Sequence, residues 1–257
     1  MRKLFALTIL SLAFVTGNAL AEDATSGGIV QVFGCTLQDG QTTDNVWALM
    51  DALGTPEGAA APPDPAFGVF FWAPFRGATD YDFAFGVLNS DLVSMADAGS
   101  AYAASARGQA NDLRFENTVS DCDSAIMSVE ELKEASIGMT ADRTVDAVVE
   151  TFSCTINEGS DMDDVNGALD YWKGQIPKIG SPALDKYGAH LWTAYRGGTG
   201  SDFVFVGNSP DLKTWAEGSV AYDSSAGGQA ADERFFKHST CTNQMWNGYW
   251  IVVPEQF

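Results

Sequence analysis

The sequence contains one unit twice. Residues 33–40 (FGCTLQDG) recur at 152–159 (FSCTINEG), and residues 72–85 (WAPFRGATDYDFAF) recur at 192–205 (WTAYRGGTGSDFVF). The two displacements are 119 and 120 residues, so the offset is nearly constant. Self-similarity at a fixed period indicates a tandem duplication, here of a unit of about 100 residues.

The first 21 residues have the three parts of a secretory signal peptide. Arg2 and Lys3 precede an apolar run that ends at Val15, and Ala19 and Ala21 are the small residues of a cleavage site. The apolar run is short for a bilayer span, and a retained N-terminal anchor is the alternative. We expect a soluble mature chain, periplasmic or secreted, that begins at Glu22.

The charge of the chain excludes two classes of partner. Without residues 1–21 it has 34 acidic and 12 basic side chains, a formal charge of −22. Such a chain repels nucleic acid and anionic lipid, so we expect neither as a partner. No stretch after residue 21 is long and apolar enough for a membrane helix, so we expect no membrane insertion of the mature chain. Solubility accounts for the charge, and recruitment of a cationic partner or of Ca²⁺ is the alternative.

Each copy shows the element order β-α-β-β-α-β. The first copy has strands at 29–37, 67–76, 82–89 and 125–129, and the second has them at 148–156, 187–196, 202–208 and 245–253. Apolar residues at helical spacing follow the first strand of each copy, at Val46, Leu49, Met50 and Leu53 and at Val165, Ala168, Leu169 and Trp172. This order is that of an α+β, ferredoxin-like sandwich.

The four cysteines support this topology. Cys35 and Cys122 are 87 residues apart, as are Cys154 and Cys241, and an exported chain meets an oxidising compartment. Equal spacing alone leaves cross-pairing open. In the ferredoxin-like order the first and last strands are antiparallel neighbours, which favours the bridges Cys35–Cys122 and Cys154–Cys241.

The chain resembles the dimeric α/β-barrel superfamily, in which two ferredoxin-like units pair their sheets into a barrel. Here the units are expected to be fused, at 22–129 and 147–257, with a connection at 130–146, as a pseudo-dimeric α/β barrel. The resemblance covers most of the mature chain and is architectural, without a motif matched residue by residue. It implies a range of activities that includes cofactor-independent monooxygenases and haem-binding enzymes, so the fold does not select a function.

Each predicted hairpin carries a Trp, an Arg and an Asp. With the turn of the second hairpin centred on Thr199, Arg196 lies opposite Asp202 on the face of Trp192, which is expected to look into the barrel. Such a set suits a small aromatic or anionic ligand, and a bracing role for the Arg–Asp pair is the alternative. The candidate ligand-binding residues are Trp72, Arg76, Asp82, His190, Trp192, Arg196 and Asp202.

The remaining candidates for chemistry are few. His190 replaces Phe70 of the first copy and suits a general base or an axial haem ligand, with a buried structural residue as the alternative. His238 is expected at the surface. The acidic segments 121–123 and 157–164 lack EF-hand spacing, so no metal site and no cofactor is expected, with haem and Ca²⁺ as the alternatives.

No motif in the chain names a reaction. The sequence therefore favours a non-catalytic role for an exported protein that binds a small molecule or serves as an interaction module. An enzyme of the cofactor-independent monooxygenase or haem-binding kind is the alternative that the resemblance implies.

Overall fold

The computed structural model describes residues 27–53, 64, 66–76, 80–134, 139, 144, 147–197 and 200–254. The predicted signal peptide at 1–21 lies outside these ranges, as does much of the predicted connection at 130–146. The first residues of that connection continue a strand, because the strand that contains Cys122 extends to Lys133.

In the described ranges, antiparallel strands close into an eight-stranded barrel. The first half contributes β1 (Ile29–Leu37), β2 (Gly68–Arg76), β3 (Phe83–Asn89) and β4 (Val119–Lys133), and the second contributes β5 (Ala147–Ile156), β6 (Gly188–Gly197), β7 (Phe203–Ser209) and β8 (Ser239–Val252). Their order around the barrel is β1-β3-β2-β8-β5-β7-β6-β4. The two halves are therefore joined by the pairs β2–β8 and β4–β6.

Helices cover the outside of the sheet. They are α1 (Thr43–Leu53), α2 (Leu92–Ala104), α3 (Ala106–Thr118), α4 (Met162–Ile179), α5 (Pro182–Asp185), α6 (Leu212–Asp223) and α7 (Ala226–His238). Short polar residues begin them, as when the Asp211 carboxylate accepts the backbone N–H of Thr214 at 2.8 Å. Within the ranges the structure describes, no helix combines the length and apolarity needed to cross a membrane.

The acids of segment 157–164 serve the start of α4. The Asp161 side chain accepts the N–H of Asp164 at 3.0 Å, and the Asp164 side chain accepts the N–H of Asp161, which completes a capping box. His238, predicted at the surface, instead packs against this turn with its Nδ1 2.9 Å from Ser160 Oγ and a side chain only 19% exposed. No sequence pattern indicates this contact, because α7 ends beside α4 only after folding.

Both predicted disulfides are confirmed. Cys35 lies directly opposite Cys122 across β1 and β4, and Cys154 lies opposite Cys241 across β5 and β8. The described chain contains no free cysteine. Cys35 and Cys154 are fully buried, so each bridge fastens the first strand of a half to its last strand beneath the helices.

The strands separate two hydrophobic regions. Along β5, Val149 faces the barrel interior, whereas Phe152 and Cys154 face the helices, as the period of two requires. The interior is filled by side chains from both halves, with Phe70, Trp72, Met127, Trp192 and Trp246 among the largest. The helix-covered face of the second half is packed separately and positions the site described below.

Candidate functional site

The register of the second hairpin differs from the prediction by two residues. Trp192 pairs with Val204, which places Arg196 out of register with Asp202. The Asp202 backbone N–H donates to the Cys154 carbonyl at 2.8 Å, and its carboxylate accepts the N–H of Ile156 at 2.7 Å. The predicted facing pair is therefore wrong, because Asp202 is held by the end of β5.

Arg196 lies outside the barrel interior. It is exposed, and its guanidinium carbon is 5.7 Å from the centre of the Tyr195 ring. A register shift between β4 and β6 skips Tyr195, so the simple alternation that placed Arg196 beside Trp192 does not hold at this end of β6.

The first hairpin has the same geometry. Trp72 pairs with Ala84, and the Asp82 carboxylate accepts the N–H of Leu37 at 2.7 Å, as Asp202 does in the second half. The side chain of Arg76 lies outside the part of the structure that is described. Asp82 is thus a partner of β1.

The structure does bring Trp72 and Trp192 together inside the barrel. Their rings stack with centroids 5.6 Å apart, and Trp246 packs 6.2 Å from Trp72. Trp246 Nε1 donates to Thr151 Oγ1 at 3.0 Å, whereas the Nε1 atoms of Trp72 and Trp192 are buried without a hydrogen-bond partner among the described residues. Beside these rings lies a cavity of about 110 Å³, which is smaller than the ~300–1,000 Å³ usual for ligand pockets.

His190 shares the barrel face with Trp192, as predicted. It lies opposite Val206 on β7 and opposite Glu131 on β4. Burial disfavours the charged imidazolium and lowers the pKa of His190 to about 4, so the side chain is neutral at physiological pH.

A larger cavity lies on the opposite side of the sheet. We call it the helix-side cavity: it has a volume of about 410 Å³ and is enclosed by β5, β7 and the helices α4 to α7 of the second half. Its lining residues are Glu150, Phe152, Leu169, Trp172, Ile176, Ala183, Leu184, Tyr187, Phe205, Ser209, Trp215, Gly218, Ser219, Tyr222, Asp223, Ala231, Asp232, Phe235 and Phe236. Its volume falls within the ~300–1,000 Å³ typical of small-molecule sites.

Three carboxylates line this cavity. Burial raises the pKa of Glu150, and the nearby charge of Asp223 raises it further, while Trp215 and Asn243 favour the charged form. The Trp215 Nε1 is buried without a hydrogen bond of standard geometry among the described residues. The pKa of Asp232 is also raised, first by burial and then by Asp223, although its carboxylate accepts the Tyr222 hydroxyl at 2.8 Å.

Aromatic rings form most of the wall. Trp172 meets Phe205 edge-on at 5.6 Å and Tyr187 at 6.4 Å. The Tyr187 hydroxyl occupies the space above Gly207, where a Cβ would overlap it. Burial raises the pKa of Tyr187 and of Tyr222, so both phenols are neutral at physiological pH.

Two of the three acids are replaced in the first half. Glu150 corresponds to Gln31 and Asp223 to Ala103, while the Tyr222–Asp232 pair is repeated as Tyr102 and Asp112, with the hydroxyl 3.1 Å from the carboxylate. Trp215 and Tyr187 likewise stand where the first half has Met95 and Phe67. The sequence prediction missed this cavity, although the differences between the two copies marked it.

The fold is similar to that of several solved structures. A candidate monooxygenase from Fusobacterium nucleatum subsp. nucleatum has a TM-score of 0.58 and 10% identity, covering 89% of this chain and 94% of that chain. The encapsulated DyP-type peroxidase from Mycobacterium smegmatis has a TM-score of 0.53 and 11% identity over 90% and 94% of the two chains. A candidate chlorite dismutase has a TM-score of 0.53 and 13% identity over 89% and 96%.

These likenesses concern the fold. They confirm the resemblance to dimeric α/β-barrel proteins that the sequence indicated, at the level of structure. No protein-family model and no curated protein matches the sequence.

Haem is one cofactor that the resemblance implies, and the helix-side cavity does not suit it. Its described lining residues include no His, Cys or Met as an axial ligand, the Tyr222 hydroxyl donates to Asp232, and the Tyr187 hydroxyl is packed against Gly207. The lining carboxylates would repel the haem propionates. Elsewhere in the described ranges, no three His, Cys, Asp or Glu side chains are grouped to hold a metal ion.

Proposed function

We propose that this protein is an exported small-molecule-binding protein whose ligand occupies the helix-side cavity. The observation that carries this proposal is a cavity of about 410 Å³ lined by aromatic rings and a few polar groups, a combination typical of ligand sites. The proposal includes an origin of the two halves as fused ferredoxin-like units, of which only the second has the acids Glu150 and Asp223.

Export is supported by two features of the chain. Residues 1–21 have the composition of a signal peptide, and all four cysteines are paired in disulfides, which persist in oxidising compartments. The binding role is supported by the chemistry of the cavity wall, which combines aromatic rings with a few polar groups.

A second candidate site is the barrel interior. Trp72 and Trp192 carry buried indole N–H groups without partners among the described residues, beside a cavity of about 110 Å³. An acceptor atom of a very small ligand would satisfy these donors. The enzymatic alternative is a monooxygenase activity, since the fold neighbour from Fusobacterium nucleatum is a candidate monooxygenase. Measuring oxygen uptake in the presence of the retained ligand tests this alternative.

Native mass spectrometry of protein purified from its source tests the proposal. The expected result is a retained small molecule that is lost from Ser219→Trp, because Ser219 lines the cavity and an indole there takes up space that the ligand needs. Gly99→Trp is the matched control, since Gly99 is the equivalent position on α2, is exposed and has open space around an added Cβ. Retention of the same ligand by a folded Ser219→Trp protein would refute the helix-side site.

A further inference from the structure

We infer that the ligand of the helix-side cavity is an organic cation with an apolar body, such as an aryl or alkyl ammonium compound. The inference rests on the proposed function and adds the chemical class of the ligand. It is carried by two independent features of the wall, its carboxylates and its aromatic faces.

The carboxylates extend from the mouth of the cavity to its interior. Asp223 is exposed, whereas Glu150 is largely buried on β5, and Asp223 interacts electrostatically with both Glu150 and Asp232. The described lining residues include no Lys, Arg or His to neutralise them. A cation between these groups relieves their mutual repulsion, and an anion increases it.

The aromatic wall favours the same ligand. Two indoles and two neutral phenols line the cavity, from Trp172, Trp215, Tyr187 and Tyr222. The π face of such a ring attracts cations. The apolar rings of Phe152 and the other lining phenylalanines suit the body of such a molecule better than they suit a hydrated metal ion. An organic cation satisfies both the charge and the surface of the cavity.

The first half supplies matched replacements for the two distinctive acids. Glu150→Gln restores the residue type of Gln31, and Asp223→Ala restores that of Ala103. Because Asp223 is exposed, its replacement removes a charge at the cavity mouth without opening the core.

Isothermal titration calorimetry on the mature chain uses three probes of similar size: phenyltrimethylammonium, the neutral isostere tert-butylbenzene, and the anion benzenesulfonate. We expect the cation to bind at least about tenfold more tightly than tert-butylbenzene, with no measurable binding of benzenesulfonate. Glu150→Gln and Asp223→Ala should each weaken the cation about tenfold and change tert-butylbenzene affinity less than about twofold. Ser219→Trp should abolish binding of both.

The outcomes separate the two proposals. If tert-butylbenzene or benzenesulfonate binds as tightly as the cation, and Ser219→Trp abolishes that binding, the cavity is a ligand site and the cation inference is wrong. If the cation binds but is unaffected by both acid substitutions and by Ser219→Trp, it occupies another place, and this inference fails. If no probe binds, the cation inference fails, and retained ligand in native mass spectrometry decides the proposed function separately.

Discussion

Acid sensitivity should arise at one residue of the barrel wall, His190. Burial lowers its pKa from 6.5 to about 4, so the folded protein holds this imidazole neutral. Below pH 6.5 His190 binds a proton in the unfolded chain, whereas in the folded chain it does so only below about pH 4. Stability is therefore lost as the pH falls through this window, and the full difference corresponds to about 3 kcal/mol, since one pKa unit is worth roughly 1.4 kcal/mol.

The corresponding residues of the first half provide a replacement for His190. Phe70 occupies the position of His190 and lies opposite Gly86, where a Cβ would overlap the Phe70 ring. The second half has Val206 opposite His190. The variant to make is therefore the double substitution His190→Phe with Val206→Gly, which copies the pair of the first half, and Val206→Gly alone is the control that keeps the titrating group.

Urea unfolding at pH 7, 6, 5 and 4 measures the effect. Wild type and Val206→Gly should lose up to about 3 kcal/mol more than the double variant between pH 6.5 and 4. Glu131, opposite His190 on β4, is common to all three proteins and cancels in the comparison. If the double variant loses stability as steeply as wild type, His190 is not the source of the acid sensitivity.

Three further results are expected. Replacing Cys35 and Cys122 by Ala opens a loop with a sequence separation of 87 and should lower the free energy of unfolding by roughly 4–5 kcal/mol in the chain-entropy model, measured by urea unfolding; a loss below about 1 kcal/mol would contradict it. Gly207→Val should destabilise the protein by about 1–3 kcal/mol, because its side chain overlaps Tyr187, and thermal unfolding with no shift would contradict this overlap. Phenyltrimethylammonium affinity should fall as the pH drops through the raised pKa of Glu150, because protonation removes the negative charge. Calorimetry that shows stronger binding at acidic pH would contradict this prediction.

Local patterns predicted most of the fold. The β-branched and aromatic residues of β1 and β5, the spacing of apolar residues in α1 and α4, and the equal cysteine separations are all local in sequence or repeated in both copies. β4 is longer than the predicted strand at 125–129, since it begins at Val119 with polar residues that do not alternate. From sequence alone such polar residues are typical of a loop. They form a strand here because partner strands bind their backbone N–H and C=O groups.

The candidate site was harder to predict for a physical reason. The position of Arg196 depends on a register shift between β4 and β6, and that of Asp202 depends on a hydrogen bond from β5. Neither is encoded in the hairpin itself. Glu150 occupies an ordinary alternating position in β5 and becomes distinctive only when α6 brings Trp215 and Asp223 beside it. Comparison of the two copies would have flagged these positions, because duplicated scaffold positions tend to keep their residue type.

The location of a bound cation tests the helix-side site most directly. Crystals of the mature chain soaked with (4-bromophenyl)trimethylammonium would place the ligand through the anomalous signal of bromine. We expect a bromine peak in the helix-side cavity, among Trp172, Tyr187 and Phe205, with the ammonium group near Asp223. A peak in the barrel interior beside Trp72 and Trp192 would contradict it.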